Sequence, residues 1–248
     1  PFELEGQMID IRCSIGIAQA SGTQAGADQL IKNADIALYA AKSERGGAYR
    51  FFEPKMQELL TQRQTLKAEL AAALDNSELE LVYQPVIDLF RNRVSSFEAL
   101  LRWRHPERGL ISPADFIPIA EETGLILPIG EWVLNQACLE AARWPRGVGV
   151  AVNLSAVQFR NKSLSRTVAD ALAKSNLAPT RLELEITETV LLTDSEANLD
   201  VLHEFRKLGV KIALDDFGTG YASLAYLRKF PFTKIKIDRS FVADLGEA

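Results

Sequence analysis

Apolar positions in this chain follow two rhythms, one of two residues and one of about three and a half, and they alternate regularly in its second half. Residues 8–18 (MIDIRCSIGIA) alternate and are rich in β-branched side chains, which predicts a strand. Residues 27–44 carry a broad apolar face through Leu30, Ile31, Ala34, Ile36, Ala37, Leu38 and Ala41, which predicts a helix. Gly46 and Gly47 stop it, and 48–53 (AYRFFE) reads as another strand. The run 56–78 holds neither glycine nor proline and predicts a helix ended at Asp75-Asn76. Strand 79–89 then turns tightly at Arg91-Asn92 into strand 94–103. Helix 113–123 is marked by Ser112 as N-cap, Pro113 at its first position and Gly124 as its stop, and helix 126–143 follows. Beyond it, strands 147–155, 181–187, 210–216 and 232–238 alternate with helices 163–175, 195–208 and 223–229.

That order is an α/β pattern with a mainly parallel sheet of six strands, the first two being antiparallel neighbours because a tight turn joins them. An eight-fold βα barrel and an open doubly wound sheet both fit. Residues 1–53 offer two strands and a helix, too little to bury a core, so they read as the tail of a domain that begins earlier. Residues 54–78 form a helical linker or the first outer helix of the domain at 79–248.

Composition narrows the function classes. The 248 residues are 47% hydrophobic and 25% charged, with a net charge of −5, so general attraction to DNA, RNA or an anionic membrane is not expected. Cys13 and Cys138 are too few and too far apart for a disulfide framework or a thiolate metal site, which fits a reducing cytoplasm. No apolar run approaches the roughly 18–20 residues that span a bilayer, and no signal peptide opens the chain. Any membrane anchor of a longer parent would lie in segments outside this sequence.

Four apolar runs end in, or are broken by, an acid or amide: Glu98 in SSFEALLRW, Asn153 in VAVNLS, Glu185 in RLELEITE, and Asp215-Asp216 in KIALDDFGTG. The last three lie about thirty residues apart, the length of a strand plus a returning helix, so their side chains should gather at one end of a parallel sheet. Adjacent carboxylates at the tip of a buried strand repel unless something positive sits beside them, and a divalent cation answers that need. Oxygen ligands alone select Mg²⁺ or Mn²⁺ over zinc. Glu188 lies past its strand and is better placed to hold a neighbouring loop; Glu183 and Glu185 share a face, and one of them is expected to be solvated. Lys236 and Asp238 share a face of the last strand, where the lysine can orient a water or meet charge developing on a phosphoryl oxygen. Arg102 and Arg104 flank Trp103 and offer phosphate contact and stacking, or simply a rim salt bridge. His105 and His203 read as structural or solvated.

At these residues the chain resembles the EAL domain, a bacterial phosphodiesterase of the second messenger cyclic di-GMP. YQPVID (83–88), EALLRW (98–103), SPADFIPIAEETGLI (112–126), NLS (153–155), ELEITE (183–188), DDFGTGYASL (215–224) and KIDRSFV (236–242) occur in the family's order and spacing. The resemblance implies a TIM-type (β/α)8 barrel binding two Mg²⁺ or Mn²⁺ ions. It implies Glu98, Asn153, Glu185 and Asp215 as ligands of one metal, Asp215 and Asp216 facing the second, and Lys236 contacting the nucleophilic water. It further implies Glu188 as the anchor of the DDFGTG loop, Gln84 and Arg102 as substrate contacts, and a homodimer through this domain. Residues 1–53 resemble the closing portion of a GGDEF (diguanylate cyclase-type) domain through SIGIA, ADIALYAAK and YRFF, without its signature, so no cyclase activity is expected of them.

The resemblance also implies that the barrel is incomplete at its C-terminal end. Two further βα units, roughly sixty residues, are expected beyond Ala248, bringing another Glu and a Gln to the site. The expected activity is hydrolysis of cyclic di-GMP to linear pGpG by two-metal attack of water, weak or absent in this chain alone. The alternatives are a regulatory module that binds cyclic di-GMP without cleaving it, and an unrelated metal-dependent barrel enzyme acting on a small anion.

Overall fold

A computed structural model of the protein describes residues 2–4, 7–9, 12–20, 26–43, 47–192, 195–218 and 229–241. Two compact units divide at Glu69 and Leu70. In the first, β1 (Phe2–Leu4) pairs antiparallel with β2 (Gln7–Ile9), and β3 (Ile15–Ile17) pairs parallel with β4 (Tyr49–Phe51) across helix α1 (Ala27–Ser43). The single strand expected over 8–18 is therefore two separate strands, with no strand at Arg12, Cys13 and Ser14. Gly16 explains how close α1 lies: a Cβ there would collide with the backbone of Ala34 and Leu38. Helix α2 (Pro54–Ala73) runs across the division between the units.

The second unit is built on a sheet of order β11-β10-β9-β8-β6-β5. Its strands are β5 (Leu79–Asp88), β6 (Arg93–His105), β8 (Gly149–Leu154), β9 (Leu182–Thr187), β10 (Lys211–Phe217) and β11 (Lys234–Ile237), with a short β7 (Gly109–Ile111) hydrogen-bonded to β6. As expected, β5 and β6 are antiparallel, and β6, β8, β9, β10 and β11 are parallel. The hairpin β6–β7 was not anticipated. Strand β6 continues past 103 to His105, whose buried Nδ1 accepts from the backbone N–H groups of Glu107 and Arg108 and folds the turn.

Helices α3 (Pro113–Thr123), α4 (Ile126–Ala142), α5 (Ala156–Phe159), α6 (Leu164–Ser175), α7 (Glu188–Leu192) and α8 (Ser195–Leu208) complete the unit. Ser112 caps α3 by accepting from the Ala114 N–H, and Gly124 ends it with φ at 77°. Helices α5 and α7 escape the periodic pattern because each is barely more than one turn long. Strand β9 is buried along nearly its whole length. Leu182, Leu184 and Ile186 fill the core with Trp103, Phe116, Leu134, Leu202, Phe205 and Ile212, while Glu183 and Glu185 face the other side of the sheet. The helix expected at 223–229 lies almost wholly outside the described residues, as do Gly46, Thr219, Gly220 and the chain beyond 241.

Candidate metal centre and phosphodiesterase site

The sheet register brings the polar strand positions to one face. Gln84 on β5 stands directly opposite Glu98 on β6, and Asn153 on β8 stands beside Glu185 on β9. Asp215 is level with Thr187, one alternation further toward the C-terminal end. This rising stagger suits the C-terminal mouth of a parallel sheet.

Ligand oxygens of Glu98, Glu185 and Asp215 all lie within 4.8 Å of one another. The ammonium of Lys236, on β11, sits among them, donating to Glu98 Oε2 at 3.1 Å, Glu185 Oε2 at 2.7 Å and Asp215 Oδ2 at 2.9 Å. Asn153 Nδ2 donates to Glu98 Oε1 at 2.9 Å, which orients the amide. Asn153 therefore does not cap the helix that follows. Ser155 does, in a capping box with Gln158.

Three carboxylates facing one ammonium leave the centre short of positive charge. Burial pushes the Glu185 carboxyl up to about 7, Lys236 pulls it down, and Glu98 and Asp215 add to the upward push. For Lys236, burial favours the neutral amine, but hydrogen bonds to Asp215 and Glu185 and the charges of Glu185 and Glu98 hold it well above its ordinary value. The two upward shifts have different origins, burial for Glu185 and the surrounding carboxylates for Lys236. Asp216 is pushed up as well, by burial first and then by Asp215 and Asp238.

The turn after β10 is shaped by specific residues. Asp216 has φ of 52°, and its N–H donates to Asp215 Oδ1 at 2.9 Å. Gly218 has φ of 104°, and a Cβ there would meet the Phe241 ring at 2.6 Å. Its N–H donates at 2.8 Å to Oε1 of Glu188, which is buried at the start of α7. Glu188 thus ties the segment carrying Asp215 and Asp216 to the end of β9.

Other expected residues are more dispersed. Gln84 is exposed on the face that carries Glu98. Arg102 donates to the Leu101 carbonyl at 2.9 Å and, with Asn153, lines a cavity of about 320 Å³ between β6, α3, α4 and β8. Arg104 is in the salt bridge that was the alternative, 2.7 Å from Glu80. Trp103 offers no stacking surface; it is fully buried, edge-on to Phe116, with its indole N–H donating to Glu78. Glu183 is not solvated: it is buried and paired at 2.5 Å with Lys234, one step below the Glu185–Lys236 pair on the same two strands. Asp238 accepts from the N–H and hydroxyl of Ser240 and so folds the turn after β11. Sequence reasoning passed over Glu121, whose Oε1 accepts from the Ser155 hydroxyl at 2.5 Å.

The family model for the EAL domain matches residues 67–248. The chain belongs to the EAL domain family. An uncharacterized protein, y4lL, of Sinorhizobium fredii is 55% identical over all of this chain and 30% of its own length. The bifunctional diguanylate cyclase/cyclic di-GMP phosphodiesterase MucR of Pseudomonas aeruginosa is 42% identical over 99% of this chain and 36% of its own length. The chain thus spans about a third of the length of the curated relatives it matches. Among solved structures, the PaMucR phosphodiesterase in its c-di-GMP complex superposes with a TM-score of 0.71 at 44% identity, over 74% of this chain and 76% of that one. The α/β fold with its acidic cluster at the parallel strand ends is thus that of an EAL domain.

Proposed function

We propose that this EAL domain hydrolyses cyclic di-GMP to linear pGpG, using two Mg²⁺ or Mn²⁺ ions. The observation that carries the reading is the convergence of Glu98, Glu185 and Asp215 on Lys236 in a chain of this family. The donor set fits a hard divalent cation: three carboxylate oxygens within reach of one another, an adjoining amide oxygen, and negative charge that one ammonium does not balance. Glu98, Asn153, Glu185 and Asp215 would hold one ion, and Asp215 with Asp216 would face the second. When bound, such ions lower the pKa of a water and offset charge on the phosphoryl oxygens.

The chain's own groups supply the rest. Lys236 keeps three carboxylates in a fixed arrangement and keeps its protons, so it remains a donor toward a water or a developing oxyanion beside them. Glu188 holds the Asp215–Gly218 turn by its bond to the Gly218 N–H. Gln84 and Arg102 border the same face and are assigned to substrate contact, the arginine to a phosphate. Water oxygen adds to phosphorus, one ring P–O bond breaks, and the released 3′ oxygen takes a proton. Alignment with MucR over nearly the whole chain supports reading residues 1–53 as the end of a GGDEF-type domain.

The test is chromatography of cyclic di-GMP incubated with the chain and Mg²⁺ or Mn²⁺. Slow, chelator-sensitive conversion to pGpG, abolished by Glu98→Ala, is expected. Conversion that survives Glu98→Ala would reject the ligand assignment.

A further inference from the structure

We infer that Glu121 is a positioning residue for Asn153, acting through the hydroxyl of Ser155; this rests on the metal-centre reading given above. Asn153 is the last but one residue of β8, so its amide is only as well placed as the point where the chain leaves the sheet. Strand pairing holds that point from one side, through Asn153 beside Glu185 and Leu154 beside Ile186. On the other side the chain turns at once into α5, which at four residues has little stability of its own.

Three hydrogen bonds converge on the turn. The Ser155 N–H donates to Gln158 Oε1 at 3.0 Å, the Val157 N–H donates to Ser155 Oγ at 3.1 Å, and Ser155 Oγ donates to Glu121 Oε1 at 2.5 Å. The first two are local. The third spans 34 residues and comes from the last turn of α3, so it alone among them ties the strand exit to another element. A hydroxyl donating to a carboxylate at this length is a charge-assisted bond, and it leaves the oxygen a better acceptor for the Val157 N–H. Gln158 is itself locked: it is buried, and it packs on Gly130 of α4 so closely that a Cβ at 130 would collide with its amide. The half-buried Glu121 also lines the cavity shared by Asn153, Arg102 and Ser155. Groups that orient a metal ligand typically change affinity 10–100-fold when removed.

The test compares Glu121→Ala with Glu121→Gln, which keeps an oxygen acceptor for Ser155. Hydrogen exchange of residues 155–158 in the metal-free chain is read alongside Mn²⁺ calorimetry. Glu121→Ala is expected to speed exchange at the Val157 amide about tenfold and to weaken Mn²⁺ uptake about tenfold, while Glu121→Gln stays within about twofold of the wild type on both. Unchanged exchange in Glu121→Ala overturns the inference. So does a Glu121→Gln variant as impaired in Mn²⁺ uptake as the alanine, which would make the carboxylate a direct partner of the ion. Absence of Mn²⁺ uptake by the wild type would instead overturn the metal reading, and the exchange result would still decide the role of Glu121.

Discussion

At the scale of single residues, Lys236 is the group on which the centre depends. Its ammonium stands among three carboxylates that would otherwise repel one another at close range. Lys236→Met is therefore expected to destabilise the metal-free protein by about 3 kcal/mol, the usual cost of leaving part-buried charges without their partner. Added Mn²⁺ should then raise the melting temperature of the variant more than that of the wild type. A variant melting as high as the wild type without metal would contradict this picture. Glu185 and Asp215 were legible in the sequence because each stands near the end of an apolar strand, and Glu98 because it interrupts one, where an unpaired charge is costly; the role expected of Lys236 came from the family resemblance. The partners of Glu183 and the burial of Trp103 were not legible. That each of the two same-face acids finds its own lysine depends on the register of β11 against β10, a long-range property. Glu121 was hidden for a similar reason: its partner is a hydroxyl 34 residues away, although the Ser155–Gln158 capping box was written locally in the chain.

At the scale of elements, long periodic segments were readable and short ones were not. Strands β8, β9 and β10 fall within a residue or two of their expected positions, because buried parallel strands leave continuous apolar runs between turn residues. Strand β7, α5 and α7 span three to five residues and carry no period, so only tertiary contacts define them. The strand expected over 8–18 was misread because alternation continued through Arg12–Ser14, where no ladder forms. The contact between α4 and the Gln158 side chain of α5 invites a test at this scale. Gly130→Ala inserts a methyl group where Gln158 already packs, and Gln158 cannot retreat without giving up its bond to the Ser155 N–H. The substitution is expected to cost about 1–3 kcal/mol in denaturant unfolding, outweighing the gain in helix propensity. A stabilised Gly130→Ala variant would show that the packing is looser than these positions imply.

For the molecule as a whole, the parallel sheet acts as a device for bringing distant residues together. Glu98 and Lys236 are 138 positions apart in sequence and 3.1 Å apart in space. The central strands β8, β9 and β10 are largely buried and so cannot shift register without moving their apolar sets, which fixes their polar ends at one mouth. The EAL family match and the acidic cluster point to the same chemistry. Calorimetric titration of Mn²⁺ and Mg²⁺ into the wild-type chain and into Glu98→Ala tests this most directly. Saturable uptake by the wild type that is lost in Glu98→Ala is the expected result; no uptake by the wild type, or equal uptake by both, would contradict the metal centre.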